Sequence, residues 1–507
     1  MARRKRAAIG IDVGTSGLKG IVLAENGTIV ATALAAYPLL TPRPGWTEQD
    51  PDAWWQAAVE VLHALVEQAQ GVELCGLGLA GQMHGSVFLD GDDRVIRPAL
   101  LWNDARTGAE VAAIETRVGR QRLRAITGNA ASAGFQAPKL LWLKQNEPEA
   151  HARLRRLLLP KDFIRLRLTG SAFTDIADAS GTLLLDLAER DWSPELLEAL
   201  EVDRAWLPEL REGPELAGAV SAEGARATGL PQGLPVVAGG GDNAAAAIGA
   251  GAIGEGQGVV SLGTSGTIFV HSGTPLIDPA GALNAFADCV PGGYHVMGVI
   301  LAAGGALRWY RDQVASEQRD AATASGRDPY DVILEQAMQV PAGAEGLAFL
   351  PYLSGERSPH MDAQARGAWI GLSLSHDRRH MARALVEGVG FALRDCALRM
   401  AVLGVEPQEL VVVGGGARSA IWRQLLAAQL GVRLVRLEAE EGPAMGAAIL
   451  ALAGTGVFAD LTQAVAATVR RRGEPTLPEA TLAAAYADLH RRWAGLYPAL
   501  KRGGAFG

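Results

Sequence analysis

Two acids stand beside glycine turns at distant points in this sequence, and both suit phosphate chemistry. Asp12 precedes Gly14-Thr15-Ser16-Gly17 in IGIDVGTSGLKGIVL (9–23), and Asp242 follows Gly239-Gly240-Gly241 in GLPVVAGGGDNAAAAIGAG (233–251). The GTSG turn returns in VSLGTSGTIFV (260–270). A phosphate needs several converging donors. Backbone N–H groups supply them where glycine leaves the approach open, and Thr and Ser hydroxyls add more. Gly14, Thr15 and Ser16, with Thr264 and Ser265, are therefore candidate phosphate contacts; a plain hairpin turn is the competing reading. An acid beside a phosphate repels it unless a cation intervenes. Asp12 is thus predicted to orient hydrated Mg2+ on a nucleotide's phosphates, acting through water, because Mg2+ keeps several waters. The alternative is a turn aspartate bonded to nearby N–H groups. Asp242, displayed at the end of the strand 235–237, could take the proton of an attacking hydroxyl as a general base. A helix-capping role is compatible with that. In VVVGGGARSAIW (411–422) a strand runs through glycines into a helix N-terminus, a place that favours a nucleotide. Gly415, Gly416 and Ala417 are its predicted lining; a tight strand-to-helix connection is the competing reading.

A second set suits a polyhydroxyl ligand. AGQMHGSVFLD (80–90) offers Gln82, Met83 and His84, and LLWNDARTG (100–108) offers Trp102 beside Asn103, Asp104 and Arg106. Amides and carboxylates bind hydroxyls, and an aromatic covers a sugar's apolar face. A lone His or Trp is more often structural, but both kinds clustered on loops favour binding.

The elements that must hold these residues read as mixed α/β. Each GTSG segment has apolar residues before the turn and β-friendly residues after it. That is a hairpin, not the strand-turn-helix of a dinucleotide fold or P-loop. The two lie about half a chain apart, which predicts two related domains, 1–250 and 251–507. Between them, 51–69 and 137–146 read as helices, 75–81 as a buried strand and 87–96 as a hairpin. In the second half, 383–404 reads as a long helix, 409–431 as strand, glycines and helix, 441–456 as a small-residue helix, and 457 onward as peripheral helices.

The bulk numbers set limits. A length of 507 residues suggests two or more domains. A formal net charge of -8 with no long basic block makes nucleic acid an unexpected partner. The three cysteines, Cys75, Cys289 and Cys396, lack metal-ligand spacing and predict small buried residues in a reducing compartment. The basic start Arg3-Arg4-Lys5-Arg6 leads into an apolar run cut by Asp12 and Lys19, too soon for a signal peptide. No window approaches the ~18 apolar residues of a membrane span. A soluble cytoplasmic protein is expected, with no membrane partner; a homodimer stays open.

Taken together, IGIDVGTSGLKGIVL, AGQMHG, LWNDAR, APKLLWLKQNEP, GGGDNAAAAIG, SLGTSGTI, FLPYLSGERSPH and VVGGGARSAIWRQ resemble the FGGY carbohydrate kinases of the actin/Hsp70/sugar-kinase superfamily. The likeness runs from about residue 8 to about 455. AGQMHG with LWNDAR is similar to the branch acting on D-xylulose. The resemblance implies two actin-like (ribonuclease H-like) domains, each a mixed sheet flanked by helices, with the active-site cleft between them. Sugar would sit on the first domain and nucleotide mainly on the second. It implies ATP and Mg2+, with D-xylulose or a related pentulose as acceptor. Asp242 then matches the proton acceptor and Asp12 the acid of Mg–ATP chemistry. Met83 and His84 match the substrate pair; Trp102, Asn103 and Asp104 lie in the matching sugar loop. Thr264, Ser265, Gly415, Gly416 and Ala417 match the nucleotide side. One stretch departs: TGNAASAGFQAPK (127–139) is small and polar where the family carries bulkier residues, which implies a roomier pocket. A kinase for ribulose or a polyol, and a non-catalytic ATP-binding switch of the same fold, are the alternatives.

Overall fold

The computed structural model describes residues 4–439 and 441–505. The first glycine hairpin is there: β1 (Lys5–Val13) and β2 (Gly17–Ala24) pair antiparallel, and β3 (Ile29–Ala36) extends them. A helix α1 (Pro51–Gln68) follows. Asp50 caps it, Pro51 starts it, and Trp54, Ala58, Val61, Leu62 and Leu65 form its buried stripe. The chain then returns parallel to β1 as β4 (Val72–Gly81). Much later, β5 (Leu216–Ala219), β6 (Pro235–Val237) and the two-residue β7 (Gly240–Gly241) complete the sheet, with β6 and β7 both on β4. Its path is β5-β6-β4-β1-β2-β3. Helix α2 (Asp242–Gly249) then leaves the sheet.

The second half repeats this plan. Here β8 (Gly258–Leu262) and β9 (Gly266–Ser272) form the hairpin, followed by β10 (Asn284–Ala287) and β11 (Tyr294–Ile300). After helix α3 (Arg378–Val402) come β12 (Glu409–Val413), α4 (Ala420–Leu430) and β13 (Arg433–Val435). The order is β10-β11-β9-β8-β12-β13. In both sheets the hairpin's first strand takes an antiparallel neighbour on one side and a parallel one on the other. The expected pair of related α/β units, mixed sheets flanked by helices, is therefore the observed architecture.

The small-residue helix α5 (Pro443–Gly454) crosses back and packs on β1, β4 and α2 of the first half. Its approach is so close that a Cβ on Gly10 would collide with the Ala444 carbonyl, and one on Gly78 with the Ala447 carbonyl. Gly78→Val should therefore cost about 1–3 kcal/mol or more of stability, because backbone cannot yield as a side-chain tip can. Urea unfolding at unchanged slope checks it; a native midpoint would contradict it. Of the tail, Ala480–Trp493 docks on the second half, where Tyr486 bonds Arg383 and Glu387.

The segment 87–96 closes as a hairpin of minimal length: Leu89 bridges Val95 antiparallel, with the Asp90 N–H on the Arg94 carbonyl and the Ile96 N–H on the Phe88 carbonyl, while Val87–Leu89 takes its longer pairing from Arg156–Leu158. The Asp90 side chain holds the turn by accepting the N–H groups of Asp92 and Arg94. Cys289 and Cys396 are buried and Cys75 half-buried, all unpaired. No helix among the described residues is long and apolar enough to cross a membrane.

Candidate active site

Asp12 and Asp242 face one region from two strand ends. Asp12 lies near the end of β1, opposite Lys19 in the hairpin and Ala80 on β4. Gly241, one residue before the second acid, pairs with Gly81 on the same strand. Burial and the charge of Asp242, against a partial pull from Lys19, bring the Asp12 carboxyl up to about 7. Among the described residues Asp12 Oδ1 is buried without a partner. Asp242 is pushed up to about 6 by burial, against the pull of two bonds from Asn243, backbone N–H (2.8 Å) and amide (2.9 Å). The helix cap is Gly241, so Asp242 is the first helical residue and not the cap. Its carboxylate is left for other work.

A buried charged platform lies under this loop. Lys161 reaches Asp162 (3.0 Å), Asp175 (2.6 Å) and Asp178 (2.9 Å). Arg165 bonds Asp162 and the Ala238 carbonyl, fixing the chain just before the glycines. Buried charges persist only when paired in this way.

On the sugar side, the predicted residues divide. His84 is strained at φ 66, in the left-handed region. Its Nδ1 lies 2.7 Å from the Gly181 carbonyl, so Nδ1 carries the proton and Nε2 is an acceptor. Burial and the nearby cations Lys139 and Arg357 push its pKa down to about 3, which keeps the ring neutral. Met83 packs beneath the base: a Cβ on Gly241 would meet its Cγ at 2.8 Å. Trp102 is exposed and donates to the Thr15 hydroxyl (3.0 Å), tying the sugar loop to the first glycine turn. Asn103 is exposed and accepts the Thr47 hydroxyl proton.

Two predicted sugar ligands are engaged elsewhere. Gln82 is buried; its amide donates to Gln49 and the Gly14 carbonyl and accepts from Thr15, so it braces the turn. Asp104 is buried in a bidentate pair with Arg106 (2.8 Å to each oxygen) and accepts the Thr47 N–H, which leaves nothing for a hydroxyl. Thr15 is likewise occupied by Gln82 and Trp102, and Ser16 is the exposed hydroxyl of that turn.

Lys139, which reads in sequence as one residue of a helix, is fully buried. It donates to the carbonyls of His84 (2.8 Å) and Gly134 (2.7 Å), clamping the strained histidine to the 127–139 loop. Burial drives its pKa well down. The small residues 130–133 of that loop are half-exposed, leaving its wall low. Lys139→Met leaves two carbonyls unpaired, at about 1–3 kcal/mol each. The KM for the acceptor should rise at least tenfold, while the KM for nucleotide should hold. Equal changes in both would contradict the clamp.

The nucleotide side is a cavity of about 500 Å³ between the second hairpin turn, the 3₁₀ turn after β12 and the helix start at Gly304–Gly305. Gly263, Thr264, Gly415, Gly416 and Ser419 line it. A Cβ on Gly415 would point into open space, whereas one on Gly304 would meet the Gly263 carbonyl at 2.6 Å. Gly415 therefore leaves room, and Gly304 permits close packing. Ala417 is not lining as expected; its side chain is buried in the second core, because the 3₁₀ turn rotates it inward. Ser265 sits partly exposed at the turn, outside the lining. Arg308, Tyr330 and Asp331 complete the wall, and no spacing in the sequence ties them to the glycine loops.

Comparison with known proteins matches the chain in two parts. The model for the FGGY family of carbohydrate kinases, N-terminal domain, matches residues 7–249, and that for the C-terminal domain matches 258–455. Xylulose kinase of Escherichia coli K12 is 45% identical over 87% of this chain and 89% of its own. That of Lactococcus lactis is 40% identical over 96% of each. The crystal structure of a xyloylose kinase from Brucella ovis superposes with a TM-score of 0.90 at 39% identity, covering 98% of this chain and 99% of the other.

Proposed function

Because this chain belongs to the FGGY family of carbohydrate kinases, we propose that it transfers the γ-phosphoryl group of ATP to D-xylulose, giving D-xylulose 5-phosphate and ADP. The observation that carries the chemistry is Asp242: a carboxylate at a strand end, bonded among the described residues only to its neighbour Asn243, and pushed up to about 6 by burial. That suits a base working near neutrality. It takes the proton of the sugar hydroxyl as that oxygen attacks phosphorus in line. Residues 1–250 are read as the sugar-side domain and 251–507 as the nucleotide-side domain, with α5 lent back to the first.

The residues fit a hydrated Mg2+. Asp12 offers a buried oxygen without a partner among the described residues, and burial with the nearby charge of Asp242 disfavours its ionised form unless a cation joins it. Among the described residues no group of three or more His, Cys, Asp or Glu is gathered to cage a metal. That matches an ion held chiefly by water and phosphate oxygens, with Asp12 as its protein anchor. When bound, Mg2+ offsets the charge of the triphosphate. The chain's own residues do the rest. His84 Nε2 accepts a sugar hydroxyl, Met83 spaces the acceptor from the base, and Gly415 with the 263–265 turn leaves backbone open to phosphates.

ADP release with Mg2+ should be far faster with D-xylulose than with L-xylulose, D-ribulose, L-ribulose, glycerol or no sugar. A clear preference for another acceptor would overturn the substrate, and sugar-independent release at the full rate would overturn the kinase.

A further inference from the structure

The loop Glu356-Arg357-Ser358 connects the second half to the acceptor side. Leu301 and Arg357 donate their N–H groups to Glu356 Oε1 (2.9 and 2.8 Å). Ser358 donates its N–H to the Val299 carbonyl (2.9 Å) and its hydroxyl to the Ala282 carbonyl (2.6 Å). These anchors lie on and beside the β10–β11 hairpin. Its Phe286, Met297 and Val299 share one apolar cluster with Met83 and Phe135 of the acceptor loops. Phe286 stands 6.1 Å from the His84 ring. A pinned loop thus delivers Arg357 from the second half to the edge of the sugar site.

Within that loop the guanidinium is idle. Arg357 is half-buried, yet among the described residues its side chain has no hydrogen-bond acceptor and no ion-pair partner. Guanidinium carries five donors in a rigid fork, and leaving them desolvated and unmet is unfavourable. An acceptor brought by a ligand removes that penalty. The loop is pinned beside the hairpin whose Phe286 packs on His84, and the charge of Arg357 acts on that ring, so Arg357 stands at the His84 end of the site.

We propose that Arg357 is a specificity-determining residue that donates hydrogen bonds to the carbonyl end of the acceptor ketose. This rests on the reading of the site as a pentulose kinase. With the attacking terminal hydroxyl at Asp242, the carbonyl of a five-carbon ketose lies toward the far end, beside His84 and Arg357. A ketone oxygen only accepts. His84 Nε2 cannot serve it, because that nitrogen is also an acceptor, whereas a guanidinium can. An alcohol at the same carbon would bring an extra proton, and the acceptor at that end, His84 Nε2, is already taken by a sugar hydroxyl.

The test is steady-state kinetics of the native protein, Arg357→Met and Arg357→Gln, with D-xylulose and with its reduced alcohol, xylitol. Arg357→Met should raise the KM for D-xylulose about 10–100-fold, the worth of a lost charged hydrogen bond. The KM for ATP should stay near native, and the native preference for ketose over alcohol should shrink by a similar factor. An unchanged KM for D-xylulose, or an equal rise in the KM for ATP, overturns the proposal. Arg357→Gln removes the charge with less change in shape; it is judged by the same outcomes and decides alone if the Met variant fails to fold. A native protein inactive on D-xylulose overturns the pentulose reading itself, and shows it before any variant is made.

Discussion

Asp242→Asn should lose about 10²–10⁴-fold in kcat, with the KM for the sugar near its native value. The substitution keeps the size of the side chain and an oxygen to accept the Asn243 N–H, and removes only the capacity to hold a proton. Ground-state binding rests on other groups, chiefly His84, so the loss should fall on the chemical step. Retention of kcat within tenfold would remove Asp242 from the role of base. The native protein should show the matching pH profile. Its kcat/KM should rise with pH as Asp242 ionises near 6 and Asp12 near 7. Stability should move the other way. The folded protein binds the Asp242 proton more tightly than the unfolded chain, whose carboxyl titrates near 4. Between about pH 4 and 6 the folded state therefore holds the extra proton, and its stability falls as pH rises through that window. Asn at 242 removes this penalty. The variant should exceed the native protein by about 1–2 kcal/mol at pH 8, after allowance for solvent at the cleft wall, and by nothing below about pH 4. Equal melting temperatures at pH 8 would contradict the raised carboxyl.

Asp12→Asn should cost about 10²–10³-fold in kcat/KM, the scale seen when one preorganised electrostatic contact to a reacting group is lost. Its signature is a split in nucleotide affinity. With Mg2+ present, ATP should bind the variant more weakly, because the buried anchor oxygen has lost its charge. In EDTA, ATP should bind at least as tightly as to the native protein, because a carboxylate that repelled phosphate is gone. Calorimetric titration under both conditions decides it. The same factor with and without Mg2+ would mean that Asp12 merely shapes the turn.

These two acids were legible because each interrupts an apolar strand beside glycines, a place where nothing in a plain core calls for a charge. The repeated hairpin was legible for a related reason: the residue types on both sides of GTSG suit strands, and the structure builds the same sheet order on each. Gln82 and Asp104 were misread because residue type does not say which partner has claimed a side chain. Asp104 had its claimant two residues away, in Arg106, and that spacing could have been weighed. Gln82 is held by Gln49 and Gly14, thirty-three and sixty-eight positions distant, which only folding brings near. Lys139 and Arg357 escaped notice for the same reason. One looks like a helix surface lysine and the other like part of a loop, until the carbonyls of His84 and Gly134, or the lack of any acceptor among the described residues, give them meaning.

Where α2 crosses α5, Ala245 meets Gly446 and Ala447, and Gly249 lies against Gly442. Glycine and alanine have no side-chain torsions to freeze. At this contact the two helices come within backbone reach at no cost in side-chain entropy, and the rotamers that must be fixed to hold α5 on the first half belong to Ile248, Met445 and Ile449 beside it.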